Sequence, residues 1–210
     1  SFEKISWEEA NKIIDKIINE TSPDKIAGFT GDLTNMETLY VAKEFFNKTI
    51  KSKYLDYRID NSYVNINNKK NYIFNSTING IEDSDLVVFI GTNPRYEATI
   101  LNSRIRKSYL KNKFNVYSIG DVGDLNYPYK VLPNETKIIK DIIEGKHDLC
   151  SVIQNSKKPL IIIGQTALNL KSGKYIFEEM KKYLISINKI TDQWNSLNVL
   201  SKDASTVGSN

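Results

Sequence analysis

The sequence predicts an α/β fold in which doubly wound parallel sheets carry covering helices on both faces. Two observations lead there. The runs Leu86 to Ile90 and Leu160 to Ile163 are apolar throughout instead of alternating, as strands buried on both faces are. Stretches of helical length and helical apolar spacing stand between such runs, and strands alternating with helices give parallel sheets.

Trp7 to Asn19 sets Ala10, Ile13, Ile14, Ile17 and Ile18 on one stripe, which predicts a helix; Ser6 with Glu9 three residues on reads as its capping box. Thr21-Ser22-Pro23-Asp24 breaks it. Lys25 to Thr30 reads as a strand, Met36 to Asn47 as a helix, and Tyr54 to Asp60 as a further strand. Asn61 to Asn71 is polar and Asn-rich, as a loop is. The next set is strand Asp85 to Gly91, helix Glu97 to Leu110, strand Asn115 to Ile119 and a turn-rich stretch from Gly120 to Pro133. A helix follows over Glu135 to Glu144, and Leu149 to Gln154 reads as a further helical turn. Strand Pro159 to Ile163, Gly164 and helix Lys174 to Ile187 form the third set.

With 210 residues the chain has room for one large or two small domains. Its 29 Lys+Arg against 25 Asp+Glu leave a net charge of only +4, with basic residues spread among acidic ones, so nucleic-acid binding is not expected. One cysteine, Cys150, excludes an intrachain disulfide and a cysteine-ligated iron–sulfur cluster in this segment, since such clusters take about four thiolates. Cys150 beside Val152 and Ile153 reads as a small buried hydrophobe. No apolar run approaches the roughly 20 residues of a membrane helix, so direct membrane insertion is not expected. Ser1-Phe2-Glu3 carries no secretory signal pattern.

The chemistry concentrates in Gly91-Thr92-Asn93-Pro94-Arg95, a glycine turn between a buried strand and a helix. Such a turn lies where open α/β sheets bind ligands, and its backbone N–H groups with Arg95 suit a phosphate or pterin. As residues alone it serves a structural turn equally well. Ser62 opens a polar loop and reads as a turn residue. His147, the sole histidine, has no second histidine for a metal triad, and is expected at a helix C-terminus after Gly145 and Lys146. Asp32 after Gly31 and Asp121 after Gly120 could hold a ribose hydroxyl, but neither stands in a dinucleotide-binding glycine pattern.

The motifs taken together resemble a family. Gly91-x-Asn93 with Glu97 and Arg104-Ile105-Arg106-Lys107 resembles the pterin loop of the molybdopterin oxidoreductases. Within these it is most similar to the large iron–sulfur subunits of respiratory complex I, the NADH:quinone oxidoreductase. Ser6-Trp7-Glu8-Glu9-Ala10, Ile26-Ala27-Gly28 with Gly31-Asp32-Leu33, Phe74-Asn75-Ser76-Thr77-Ile78 with Gly80-Ile81-Glu82, Asp124-Leu125-Asn126-Tyr127, Lys158 to Gly164, and Asn198-Val199-Leu200 with Val207-Gly208 follow in the family's order.

The resemblance implies a formate dehydrogenase-like fold with one α/β domain inserted in another: residues 1–60 and 157–210 forming the first and 61–156 the insertion, the whole cut from a longer subunit. It implies a structural, non-catalytic segment with no cofactor of its own. Gly91, Asn93, Arg95 and Glu97 would be a vestigial pterin loop, and the iron–sulfur clusters would be held in the part of the full-length subunit that precedes this segment. Its partners would be other subunits of the peripheral arm, on the cytoplasmic face of a bacterial inner membrane or the matrix side of a mitochondrial one, with NADH bound by a different subunit. Active molybdenum enzymes carry their metal ligand about where Arg58 to Ser62 stands, and no cysteine occurs there. A fragment of an active enzyme such as formate dehydrogenase, or a stand-alone nucleotide-binding domain, are the alternative readings.

Overall fold

A computed structural model describes residues 2–31, 33–57, 60–203 and 206–209. The chain divides into two compact units, residues 1–59 with 203–210, and residues 60–202.

In the first unit, helix α1 (Trp7–Glu20) starts in a capping box: Ser6 Oγ accepts the Glu9 N–H at 3.2 Å and Glu9 Oε2 accepts the Ser6 N–H at 3.0 Å. These bonds hold the Glu9 carboxyl below its ordinary range. Strands β1 (Gly28–Phe29) and β2 (Leu55–Asp56) pair in parallel. Both are far shorter than the expected strands, and Pro23–Lys25 winds into a 3-10 turn that takes up the chain before β1. Helix α2 (Met36–Glu44) continues into a π turn over Phe45–Ile50, stopped by Lys51 in the left-handed region at φ 62°. The apolar stripe of α1 is half exposed at Ile13, Ile14 and Ile17.

The second unit holds, in chain order, α3 (Thr77–Gly80), β3 (Leu86–Ile90), α4 (Pro94–Glu97), α5 (Thr99–Asn112), β4 (Asn115–Ile119), β5 (Lys130–Leu132), α6 (Thr136–Ile143) and α7 (Leu149–Asn155). It ends with β6 (Pro159–Gly164), α8 (Gln165–Leu168), α9 (Gly173–Ser186) and β7 (Leu197–Leu200). The last helix, α10 (Thr206–Ser209), belongs to the first unit. The five strands form one parallel sheet in the order β5-β4-β3-β6-β7. Every residue of β3 and β6 is buried, as their unbroken apolar runs require. Alternate side chains feed two cores. Val88, Ile90, Ile161 and Ile163 pack toward Ile139, Phe177 and Met180, whereas Val87, Phe89, Leu160 and Ile162 pack toward Leu101, Ile105 and Leu125. The fold is therefore α/β, with helices on both faces of a parallel sheet.

One expectation is corrected. Residues 157–202 do not join the first unit, because β6 pairs with β3 from Leu86↔Pro159 to Ile90↔Ile163 and carries β7 on its other side. A strand buried on both faces needs neighbours on both edges, and β3 supplies one of them in parallel. The chain leaves the second unit only at residue 203. Smaller differences have local causes. The helix expected from Glu97 is broken at Ala98 (φ −154°) into α4 and α5, and the turn-rich stretch before Pro133 contains β5, a three-residue edge strand.

The polar loop after Asn61 is tied to α9. Glu178 Oε1 accepts the Tyr63 hydroxyl at 2.5 Å and the Asn65 amide at 2.8 Å. Burial, then the Glu178 bond, pushes the Tyr63 hydroxyl up to about 12. The far edge of β7 is covered by the Phe74 to Ser76 segment. Buried Asn198 accepts the Ser76 N–H at 2.8 Å and donates to Ser76 Oγ at 3.1 Å, and Asn75 Nδ2 donates to the Leu197 carbonyl at 2.6 Å. The two motifs at 74–78 and 198–200 thus recognise each other across the sheet edge.

Candidate functional site

From β3 the chain runs through β4 to β5 on one side, then returns to β6 and β7 on the other. The carboxyl ends of β3 and β6 therefore flank the topological switch point, where an open α/β sheet offers its ligand crevice. Gly91 ends β3 in the left-handed region at φ +60°, and a Cβ there would stand 2.4 Å from Ala167 Cβ. At the end of β6 a Cβ on Gly164 would stand 2.4 Å from the Gly91 carbonyl oxygen and 2.4 Å from Thr92 Cβ. Two glycines let the loop after β3 and the start of α8 close onto each other, so the space at the switch point is filled by the protein's own backbone.

The loop side chains are engaged locally. Asn93 caps α4, its Oδ1 accepting the Arg95 N–H at 3.1 Å while Nδ2 donates to the Val122 carbonyl at 2.8 Å. Pro94 at the first helical position gives up no needed donor. Arg95 reaches across to the 121–129 loop and donates to the Asp124 carbonyl at 2.6 Å and carboxylate at 2.8 Å. Glu97 Oε2 accepts the Thr92 hydroxyl at 2.6 Å, closing the turn. Gly91, Asn93, Arg95 and Glu97 thus lie along one loop, with the side chains of Asn93 and Glu97 bonded in partly buried positions and Arg95 paired to Asp124 at the surface.

That neighbour is equally self-contained. The Asp124 carboxyl lies below its ordinary range through the Asn126 N–H and then Arg95. Asp121 is lowered by the Tyr129 hydroxyl at 2.6 Å and the Gly123 N–H at 2.8 Å, so its oxygens serve the loop. Asp32, the other ribose candidate, lies outside the described residues, as do Arg58 and Ile59.

Ser62 donates its N–H at 2.9 Å and its hydroxyl at 2.7 Å to Asp60. Asp60 Oδ2 also accepts the Gln165 amide at 2.9 Å, and Gln165 Oε1 accepts the Lys202 N–H at 3.1 Å. Burial raises the Asp60 carboxyl, but the Ser62 and Gln165 hydrogen bonds with the charge of Lys202 outweigh it and leave it below the ordinary range. Gln165 carried no signal in the sequence, because nothing local shows that residues 60 and 202 meet beside it.

His147 corrects another expectation. It stands before α7, where Nδ1 accepts the Leu149 N–H at 3.0 Å; it caps the start of the next helix instead of ending the previous one. Cys150 is buried, and its Sγ accepts the Tyr183 hydroxyl at 3.2 Å and the Gln154 amide at 3.3 Å. Among the described residues no group of His, Cys, Asp or Glu is placed to hold a metal ion, and no helix is long and apolar enough to cross a membrane.

A model of the molybdopterin oxidoreductases matches residues 1–210. The chain belongs to the molybdopterin oxidoreductase family. Relatives within it share the complex I names that the loop motifs suggested. The chain is 37% identical over 220 residues to the NADH-ubiquinone oxidoreductase 75 kDa subunit of Reclinomonas americana, covering 99% of this chain and 32% of that one. It is 33% identical over 209 residues to an NADH-quinone oxidoreductase subunit of Rickettsia prowazekii, covering 98% and 30%. It is 29% identical to the mitochondrial NADH dehydrogenase [ubiquinone] iron-sulfur protein 1 of Solanum tuberosum, covering 98% and 28%. This family member thus spans about a third of the length of the curated relatives it matches.

Proposed function

We propose that this chain is a structural, non-catalytic segment of the large iron–sulfur subunit of respiratory complex I, supporting the passage of electrons from NADH to quinone by the intact complex. One observation carries the reading. The loop that would cradle a pterin is bonded to itself and to the 121–129 loop, and the switch-point crevice is closed by Gly91, Gly164 and Ala167. Those residues, engaged with one another, do not fit a pterin. The segment keeps the fold of its family and uses the loop as a joint. Iron–sulfur clusters belong, in this reading, to the part of the full-length subunit before these residues, in keeping with the single cysteine here. Its partners are other subunits of the peripheral arm, and its place is the cytoplasmic or matrix surface of the membrane. The names of the relatives support this assignment.

The test is made in the full-length subunit. Asn93→Ala with Glu97→Gln should lower the amount of assembled complex through reduced stability, by about 1–3 kcal/mol for lost buried-loop hydrogen bonds. NADH:quinone turnover per assembled complex should stay at the wild-type value. Turnover per complex that falls with these variants, or stoichiometric molybdenum in the purified wild type, would overturn the reading.

A further inference from the structure

Helix α5 turns Leu101, Asn102, Ile105 and Ser108 inward. Its outward side carries Thr99, Ile100, Ser103, Lys107, Leu110 and Lys111, with Arg104 half-buried at the rim and Arg106 exposed. The helix holds four cations, Arg104, Arg106, Lys107 and Lys111, and no acidic residue. That equals the net charge of +4 of the whole chain, so the remaining basic and acidic residues balance. The even spread of charge expected from the sequence does not hold on this helix.

Local compensation is thin. Arg104 NH1 and Lys107 Nζ both contact one oxygen, Glu82 Oε1, each at 2.9 Å. Arg106 Nε donates to the Asn126 carbonyl at 3.3 Å, and among the described residues neither Arg106 nor Lys111 has a carboxylate partner. Lys107 and Lys111 stand at i, i+4, a spacing at which like charges repel. An ordinary solvated helix face intersperses acidic residues and avoids that repulsion. Between the cations and the start of the helix lies a groove of about 330 Å³ bounded by Thr99, Ile100, Ser103, Arg104 and Lys107. Ile100 is 71% exposed and Leu110 50% exposed at the two ends of the charged row.

We propose that the outward face of α5 docks an acidic segment of a protein partner. Charge complementarity chooses the occupant: carboxylates spaced along a helix or strand would meet Arg104, Lys107 and Lys111, and an apolar side chain beside them would cover Ile100. An RNA strand would want exposed rings to stack on, but Tyr109 of this helix is packed against Phe114 and Tyr127. The inference does not depend on the complex I assignment.

The 210-residue chain is titrated, by fluorescence anisotropy, against a labelled synthetic peptide with glutamates at helical i, i+3 and i+7 positions around one leucine. The expected result is saturable binding that weakens about tenfold in Lys107→Gln/Lys111→Gln and is lost at about 0.5 M salt, where screening is strong. The charge-matched control Lys181→Gln/Lys182→Gln on α9 should bind like the wild type. Circular dichroism checks that each variant is folded, and Lys111→Gln alone, which leaves the Glu82 contacts of Arg104 and Lys107 in place, should weaken binding in the same direction. No binding by the wild type, equal binding by the α5 variant and wild type, or tighter binding of a uridine oligonucleotide or phosphatidylserine vesicles would overturn the proposal.

Discussion

Gln165 uses both ends of its amide, one on Asp60 Oδ2 and one on the Lys202 N–H. Those are the first and last residues of the second unit, so a single side chain clasps the two places where the chain crosses its boundary. Replacing it by Leu should cost about 1–2 kcal/mol, the worth of two hydrogen bonds, one of them to a charged group. The cost should depend on pH with a definite sign. The Asp60 carboxyl is held below its ordinary range in the folded chain, so the stability it contributes is complete above the unfolded value of about 3.9 and is lost as pH falls through the lower folded value. Urea unfolding of wild type and Gln165→Leu at about pH 7, 5 and 3 checks this. The difference should persist from the first to the second and shrink at the third; a gap that widened in acid would refute the clasp.

Among the helices and strands, apolar periodicity has different meanings in the two units. The stripe of α1 and the run of β6 are both legible in the sequence, yet Ile14 is half exposed and Ile162 fully buried. Ile14→Ser should therefore change the stability of the second unit by less than about 0.5 kcal/mol. Ile162→Ala, which empties space between β6 and the Leu101, Ile105 and Leu125 layer, should cost about 2–5 kcal/mol. Denaturation followed by the fluorescence of Trp194 in a Trp7→Phe background, which confines the tryptophan signal to the second unit, compares the two. Similar losses from both would mean that α1 is part of the core on which Trp194 reports.

Over the complete chain, the sheet order sets which pieces can stand alone. Residues 60–202 contain all five strands of the larger sheet and both covering layers, and should fold cooperatively as an excised fragment. Residues 1–156 lack β6 and β7. They leave β3 without a neighbour on one edge and take Leu160 and Ile162 from one core and Ile161, Ile163, Phe177 and Met180 from the other. That fragment should show no cooperative transition on heating. Hydrogen exchange on both fragments measures the difference, and a protected β3 in residues 1–156 would show that β6 is dispensable to the sheet.

The α/β class, the capping box at Ser6, the two central strands and the grouping of Gly91, Asn93, Arg95 and Glu97 can all be read from the residues in order, and the family follows from the order of the motifs. Each rests on residues close in the chain: continuous apolar runs for strands buried on both faces, a glycine for a left-handed turn, a Ser and a Glu three apart for a helix start. Folding adds what no local stretch contains: β6 joins β3, Gln165 meets Asp60 and Lys202, Asn198 reads Ser76, and Gly91 and Gly164 shut the crevice between them. Strand pairing and backbone approach depend on which distant segments share a face, and a parallel sheet places its neighbours through helical crossovers that local patterns do not encode.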